Sequence, residues 1–203
     1  ANLISYPASG SADLSSSIPD DVEDHFEAIL TEGYAAMNME GSGWVGALTA
    51  FDGGRGYWAI VTEDLSFSFN MEENLSRNVK SYVENIPESF KYIASSEQAF
   101  YFIENIELSN DDIENGDLIV SYNNGVMTGV REWRGGIVDV PVMGYNHLDD
   151  NTIGYCMTGD MPTFKLVKNN TLELVELDGN VPEWTSNGIY TISLSEKTTA
   201  LPE

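Results

Sequence analysis

Few side chains in the sequence are suited to nucleophilic or acid–base chemistry beyond its many carboxylates: two histidines, His25 and His147, and one cysteine, Cys156. A nucleophilic site needs a Ser or Cys beside a His that an acid orients. His25 falls in an acidic stretch, His147 falls in a polar, loop-like run, and Cys156 lies between Tyr and Met. We interpret His147 as a surface residue and Cys156 as a buried, inert thiol. The sequence has no G-x-S-x-G, phosphate-loop or H-E-x-x-H pattern, so we predict that the chain is not an enzyme.

Carboxylates are abundant enough that adjacent pairs arise by chance, with 33 Asp and Glu among 203 residues. Two carboxylates facing each other across a cleft would suit glycoside hydrolysis. A polysaccharide hydrolase therefore stays open as an alternative function. Residues 53–56 (GGRG) lie between two strand-like runs and not between a strand and a helix. We therefore interpret them as a tight turn and not as a phosphate-binding loop.

Two oxygen-rich segments carry the ligand types that calcium prefers, carboxylates and amides. The first contains Asn110, Asp111, Asp112 and Glu114, and the second contains Asn146, Asp149, Asp150 and Asn151. Neither segment has the spacing of an EF-hand. Calcium is the one cofactor that the sequence suggests, with Asp111, Asp112, Asp149 and Asp150 as candidate ligands. The alternative is that both segments are solvated turns.

Aromatic side chains provide the candidate ligand-binding residues, which are Trp44, Tyr57, Trp58 and Trp133. Aromatic rings bury large apolar areas, and on the surface of a β-sheet protein they can hold a carbohydrate by stacking. The alternative is packing in the core, which the motifs around Trp58 and Trp133 favour. Glycans are therefore one class of partner that the sequence allows.

Residues 1–70 predict a small α+β module. Strand-like runs cover residues 3–7, 44–48 and 56–61, and residues 65–69 alternate between apolar and polar side chains. A helix is predicted from Asp20 to Gly33, because Asp20 can cap it and acids crowd its first turn. Its apolar face would hold Val22, Phe26, Ile29 and Leu30. Residues 71–95 predict a connector with room for a short helix.

Residues 96–195 predict a β-sandwich-like module of short strands separated by Gly, Asn and Asp. Its clearest local signal is Asn124-Gly125 between two apolar runs, which is typical of a tight hairpin. Residues 196–203 have the composition of a polar tail. The predicted fold is therefore mostly β, and α+β in its first part. A short helix packs on a small sheet, and a β-sandwich or barrel-like domain follows.

Net charge is the strongest compositional signal, since 33 acidic residues against 9 basic ones give −24 at pH 7. Such a surface repels the phosphates of nucleic acids and anionic lipid headgroups, so we predict no nucleic-acid partner. No apolar run approaches the ~20 residues of a membrane span, so we predict no membrane insertion. The chain opens at Ala1 without a basic, apolar leader. This start fits either a removed signal peptide or a trimmed initiator Met.

Several short stretches of the sequence carry a resemblance to known proteins. The first part contains Leu3–Pro7 (LISYP), Gly43–Leu48 (GWVGAL) and Gly53–Trp58 (GGRGYW). The second part contains Gln98–Phe102 (QAFYF), Gly116–Ile119 (GDLI), Asp139–Gly144 (DVPVMG) and Gly159–Lys165 (GDMPTFK). Over nearly its whole length the chain resembles a tandem pair of β modules found in secreted, cell-surface or virion proteins of marine bacteria and their phages.

The resemblance implies no particular chemistry, and it implies a role in display or docking at a surface. We therefore expect a non-catalytic structural protein, most specifically a phage virion component such as a capsid decoration, knob or fibre protein. Its partners would be other structural proteins of a particle, or further copies of itself, and its location a virion surface or the extracellular space. The alternative is an extracellular carbohydrate-binding or adhesion module of a marine bacterium.

Overall fold

Strands form most of the regular elements in the structure, a computed structural model that describes residues 1–71, 84–109 and 111–197. The mostly-β fold predicted from the sequence is confirmed. The chain divides into two compact units, Ala1–Val83 and Glu84–Glu203. Within the described residues, no helix has the length and apolar character that crossing a bilayer requires.

The first unit contains seven strands and two single-turn helices. Its elements are β1 (Asn2–Ser5), β2 (Ser11–Asp13), α1 (Leu14–Ser17), α2 (Asp20–Glu23), β3 (Phe26–Thr31), β4 (Tyr34–Met39), β5 (Gly43–Gly46), β6 (Ala50–Asp52) and β7 (Gly56–Val61). Five of the strands form an antiparallel sheet in the order β1-β7-β3-β4-β5. The remaining two, β2 and β6, pair as a small antiparallel ribbon.

The predicted helix from Asp20 to Gly33 is wrong beyond its first turn. The chain leaves the helix after α2, forms strand β3, and returns through the Glu32-Gly33 turn into β4. Nearly every side chain of β3 is buried, and the strand changes register between Phe26 and Ala28. A strand buried on both faces does not alternate, so its apolar spacing coincides with that of a helix.

Aromatic rings fill the core of the first unit. Phe51 lies at its centre, with the Tyr6 ring stacked 5.6 Å away and the Tyr57 ring edge-on at 4.9 Å between centroids. The predicted alternation of residues 65–69 is present in their burial, since Phe67 and Phe69 turn inward against this core while the serines face water. This segment is not part of a strand. The packed rings fix the position of Tyr57.

The second unit is a seven-stranded, nearly closed, barrel-like sheet. Its strands are β8 (Gln98–Glu107), β9 (Leu118–Asn123), β10 (Val126–Glu132), β11 (Val138–Met143), β12 (Thr163–Val167), β13 (Leu174–Asp178) and β14 (Ile189–Glu196). They follow the order β10-β9-β12-β13-β14-β8-β11, and every pair is antiparallel except β14 and β8. The predicted hairpin is confirmed, because Asn124 and Gly125 join β9 to β10 with positive φ angles of 48° and 86°.

Strands β10 and β11 stand at the two ends of this order and lie side by side, and we call the gap between them the seam. Gly129 makes the close approach possible, because a Cβ there would lie 1.9 Å from the carbonyl oxygen of Pro141. Side chains from β9 and from β10 donate to carbonyl oxygens of β11 at the seam. Ser121 Oγ donates to the carbonyl of Pro141 at 2.8 Å, and Arg131 Nε donates to the carbonyl of Asp139 at 2.8 Å.

The predicted connector and tail are described only in part. Residues 72–83 and 198–203 lie outside the described residues, as does Asn110. The segment that follows residue 83 contains a 3₁₀ turn, Glu88–Phe90. It is tied to the barrel-like sheet by Glu84, whose carboxylate accepts from Arg131 Nη1 at 3.0 Å and from the amide of Glu132 at 3.1 Å.

Candidate functional site

One end of the barrel-like sheet is built from two connections that meet in space. The Asn124-Gly125 turn leaves β9 at the end where β12 begins, since Thr163 pairs with Tyr122. The long connection from β11 to β12, residues 144–162, closes the same end. A Cβ on Gly154 would lie 3.0 Å from Val126 Cγ2, which places this connection directly against the start of β10.

This end exposes large apolar side chains, which we call the apolar end patch: Val126, Tyr145, Leu148, Ile153, Met157 and Met161. Leu148 is 82% exposed and Ile153, Met157 and Met161 are each at least 60% exposed. Large apolar side chains exposed on one connection make it a candidate interaction site. Two methionines add adaptable shape, because the side chain is unbranched and polarisable.

Buried hydrogen bonds hold the patch in place. The Asn123 side-chain amide, which is 6% exposed, contacts the carbonyl oxygens of Gly154 and Tyr155 at 3.2 and 3.3 Å. The same amide donates to Asp160 Oδ2 at 3.1 Å, and this oxygen also accepts from the amide of Met157 at 2.8 Å. The loop therefore has a fixed shape before anything binds it, so binding requires less ordering.

The predicted calcium ligands Asp149 and Asp150 lie in this loop. Asp149 Oδ1 accepts from the amide of Asn151 at 3.0 Å and caps the 3₁₀ turn Asp150–Thr152. Thr152 Oγ1, fully buried, accepts from the amide of Asn146 at 2.9 Å and donates to the Asp149 carbonyl at 2.7 Å. The carboxylates thus shape the loop and give the patch an acidic rim beside Leu148. Calcium at this loop stays a prediction.

The other predicted calcium ligands, Asp111 and Asp112, already face a cation. The Lys168 ammonium lies 3.0 Å from Asp111 Oδ2 and 3.0 Å from Asp117 Oδ2, and it donates to the carbonyl of Asp112 at 2.7 Å. A lysine therefore supplies positive charge to this oxygen-rich loop. Among the described residues, no three His, Cys, Asp or Glu side chains gather as a metal site.

A second candidate site is a pocket of about 240 Å³ in the first unit. Its polar lining consists of Ser11, Thr31, Thr49, Asp52 and Arg55. Its remaining lining is aromatic or apolar and includes Tyr34, Tyr57 and Leu48. The pocket lies where the small β2–β6 ribbon meets β3, β4 and β7 of the main sheet.

The structure separates the four predicted ligand-binding aromatics. Tyr57 is 1% exposed and lines the pocket, and its hydroxyl accepts from the amide of Asp52 at 2.6 Å. Trp44 is half-buried and donates from Nε1 to Glu23 at 2.6 Å. Trp58 is half-buried on β7, where alternation points it to the sheet face opposite Tyr57. Trp133 is buried in the core of the second unit. These rings do not form one stacking surface.

The cysteine and the two histidines lie in three different surroundings. Cys156 is buried, as predicted, and burial together with the charge of Asp160 raises the pKa of its thiol to about 12. A thiolate, and not a thiol, is the nucleophile, so this group is unreactive at neutral pH. His147 is exposed in the end loop, and His25 Nδ1 lies 3.2 Å from Glu63 Oε1.

The residues of the apolar end patch were missed at the sequence level, because they are irregularly spaced in a loop and show no periodicity. A usable signal was present, since Leu148, Ile153, Met157 and Met161 are large apolar residues among Gly, Asn and Asp. No protein-family model, curated protein or solved structure matches this chain. The resemblance to tandem β modules therefore stays a prediction.

Proposed function

We propose that this chain is a non-catalytic structural protein of a particle surface, such as a capsid decoration, knob or fibre component of a phage virion. The apolar end patch carries the proposal, because it presents exposed Leu, Ile and Met side chains on a loop that buried hydrogen bonds hold in shape. In this proposal the patch docks on the particle. The remaining surface, rich in carboxylates, faces the solution.

Docking through this patch is energetically reasonable. Complete burial of an exposed Leu, Ile or Met side chain contributes roughly 1.5–3 kcal/mol. Association opposes this gain through lost motion, and loops that must become ordered add to that loss. The hydrogen bonds that involve Asn123 and Asp160 reduce the cost of ordering the loop, because they already hold it in one shape.

The charge around the patch indicates the chemistry of the partner. Asp149 and Asp150 lie beside Leu148, and the whole chain carries −24. Two copies meeting through this end would bring these carboxylates together, and like charges across an interface are strongly unfavourable. The partner we propose is therefore a different structural protein, with an apolar centre and lysine or arginine at its rim.

The proposal is tested on particles purified from the source culture. Immunoelectron microscopy should place the chain on their surface, and particles stripped of it should take up added wild-type chain. The variant Leu148→Ser/Met161→Ser should not rebind. The matched control is Leu3→Ser/Leu174→Ser, which removes two other exposed leucines, at 66% and 54% exposure, and should rebind normally.

Three results would count against this function or its partner. Label confined to cells or to the soluble fraction would contradict a role on a particle. Normal rebinding of Leu148→Ser/Met161→Ser would contradict docking through the apolar end patch. Light scattering would show whether the purified chain forms an oligomer. An oligomer that the same double variant abolishes would make a second copy the occupant of the patch.

A second candidate function is carbohydrate binding or adhesion at a bacterial surface. The pocket of the first unit favours it, since polar and aromatic side chains converge there on a space suited to a small polar ligand. Binding to a glycan array, lost when the pocket is altered, would support this candidate. Absence of binding to every glycan would remove it.

A further inference from the structure

The chemistry of the first-unit pocket is specific enough to name a class of ligand. We infer that this pocket binds one neutral sugar unit, whose neighbouring hydroxyls are read by Asp52 and Arg55 together. This inference rests on the second candidate function and is independent of the apolar end patch.

The size of the pocket limits the ligand. Its volume is about 240 Å³, below the roughly 300–1,000 Å³ of sites that enclose drug-sized molecules. A single pyranose ring, free or as one unit of a longer chain, has the appropriate size. A chain would leave through the open side of the pocket, where Arg55 is 61% exposed.

Donor and acceptor groups are paired in the way that hydroxyls require. A sugar hydroxyl both donates and accepts, whereas an ionised Asp only accepts and an Arg only donates. Arg55 Nε lies 3.6 Å from Asp52 Oδ2, a distance too long for a good hydrogen bond. Two adjacent hydroxyls can therefore bind alongside this pair, one at the carboxylate and one at the guanidinium, without breaking a strong ion pair.

The Asp52 side of the pocket is already fixed. Ser11 Oγ donates to Asp52 Oδ1, and Ser11 and Asp52 are paired across the β2–β6 ribbon. The amide of Asp52 donates to the Tyr57 hydroxyl at 2.6 Å. Burial raises the pKa of Tyr57, so this hydroxyl stays protonated and neutral.

The turn that carries Arg55 is held against the rest of the unit. A Cβ on Gly53 would lie 2.0 Å from the carbonyl oxygen of Ala8, so only glycine permits this approach. The amide of Gly53 also donates to the Gly10 carbonyl at 2.7 Å. The sequence GGRG, interpreted above as a tight turn, thus positions a guanidinium at the pocket mouth.

The apolar lining suits the rest of a sugar. A pyranose ring has C–H faces as well as hydroxyl edges, and such faces pack against aromatic and aliphatic side chains. Tyr34, Leu48 and Tyr57 supply that surface here. A purely ionic ligand would gain nothing from contact with this apolar surface.

Electrostatics favours a neutral sugar over an acidic one. Arg55 is the only Lys or Arg in residues 1–71, and Asp52 lies beside it. A ligand carboxylate would approach Asp52 and the field of a chain with a charge of −24. Like charges at close range are unfavourable, most of all at low salt.

The test uses the full-length chain, ¹⁵N-labelled, with glucose, galactose and mannose as neutral probes and glucuronate and galacturonate as acidic ones. At least one neutral sugar should shift the signals of Asp52, Tyr57 and the Arg55 Nε–H. Arg55→Gln and Asp52→Asn should each weaken that binding by about tenfold or more. The acidic sugar should bind more weakly, with a difference that shrinks at high salt.

Lys91→Gln is the matched control, because Lys91 has the same 61% exposure as Arg55 and also pairs with a carboxylate three residues earlier, Glu88. It should leave binding unchanged, and circular dichroism checks that every variant folds. If Arg55→Gln binds the sugar as well as the wild type does, or if an acidic sugar binds more tightly than a neutral one, the inference is overturned. The second candidate function, carbohydrate binding, would still hold. If no sugar and no glycan on an array binds, both fail.

Discussion

The guanidinium of Arg131 lies 3.0 Å from the carboxylate of Asp139, and both side chains are 1% exposed. The pair joins β10 to β11 across the seam, and Arg131 also bonds Glu84, which is 9% exposed. Arg131→Met would leave two buried acids, Asp139 and Glu84, without the positive charge of the guanidinium. We expect a loss of about 3–5 kcal/mol in the free energy of unfolding, measured by urea denaturation.

Arg134→Met is the control for that substitution. Arg134 is 40% exposed and pairs with Glu132 at 3.0 Å near the surface. An exposed ion pair contributes about 0–1 kcal/mol, so this variant should unfold almost as the wild type does. A loss for Arg131→Met as small as that for Arg134→Met would show that the buried pair does not stabilise the seam.

The Lys168 cluster gives a pH dependence with a definite sign. Its hydrogen bond to Asp111 lowers the pKa of that carboxyl below 3.8. Partial burial opposes the charge on Lys168, but hydrogen bonds to Asp111 and Asp117 prevail and raise its pKa above 10.5. The Asp111 contribution to stability is present above pH 3.8 and is lost as pH falls through its lowered pKa. The Lys168 contribution is present below pH 10.5 and is lost as pH rises through its raised pKa.

A carboxyl titration by NMR checks the acid side of this prediction. In the wild type Asp111 should titrate below 3.8, and in Lys168→Met its midpoint should move up toward that value. Lys197→Met, which removes an exposed lysine, should leave the midpoint unchanged. An Asp111 midpoint that is the same in all three proteins would contradict the ion pair.

Gly129 is expected to tolerate no side chain. A Cβ would overlap the Pro141 carbonyl oxygen at 1.9 Å, and relief would require β10 and β11 to separate. Gly129→Ala should lower the free energy of unfolding by about 3 kcal/mol. Gly56→Ala in β7 is the comparison, because its Cβ meets only Leu3 at an ordinary 3.5 Å. That variant should stay within about 1 kcal/mol of the wild type, and a similar loss in both would disprove the close approach.

Cys156 should react with thiol reagents only when the second unit opens. Its thiol is 1% exposed with a pKa of about 12, so at pH 8 both access and ionisation oppose reaction. We expect iodoacetamide to label the native chain slowly and the urea-unfolded chain at the rate of an ordinary thiol. Rapid labelling without denaturant, followed by mass spectrometry, would contradict the burial.

Local signals in the sequence were sufficient for much of the fold. The Asn124-Gly125 turn was predictable because its residue types accept positive φ, and strands such as β7 and β11 are bounded by turns. Strand β3 was not predictable. Its side chains are buried on both faces and its register shifts at Phe26–Ala28, so alternation, the usual sign of a strand, is lost.

The candidate sites depended on tertiary structure in different ways. The sequence indicated Tyr57 as a candidate ligand-binding residue, and Tyr57 does line the pocket. The pocket itself also requires Ser11 and Asp52 to be paired across the ribbon, which no local pattern reveals. The apolar end patch needs two connections to meet at one end of a sheet. The lysine that faces Asp111 lies far beyond it in the chain, at position 168, so no local pattern placed a cationic side chain beside this loop.

Strand β14 lies between β13 and β8, and its pairing with β8 is the parallel one. During synthesis β8 leaves the ribosome well before β14 does, so β8 waits with one edge unpaired. An exposed strand edge is a template for pairing with another chain. The second unit can therefore close only after Glu196 has emerged, and until then the unpaired edge of β8 is open to pairing with another chain.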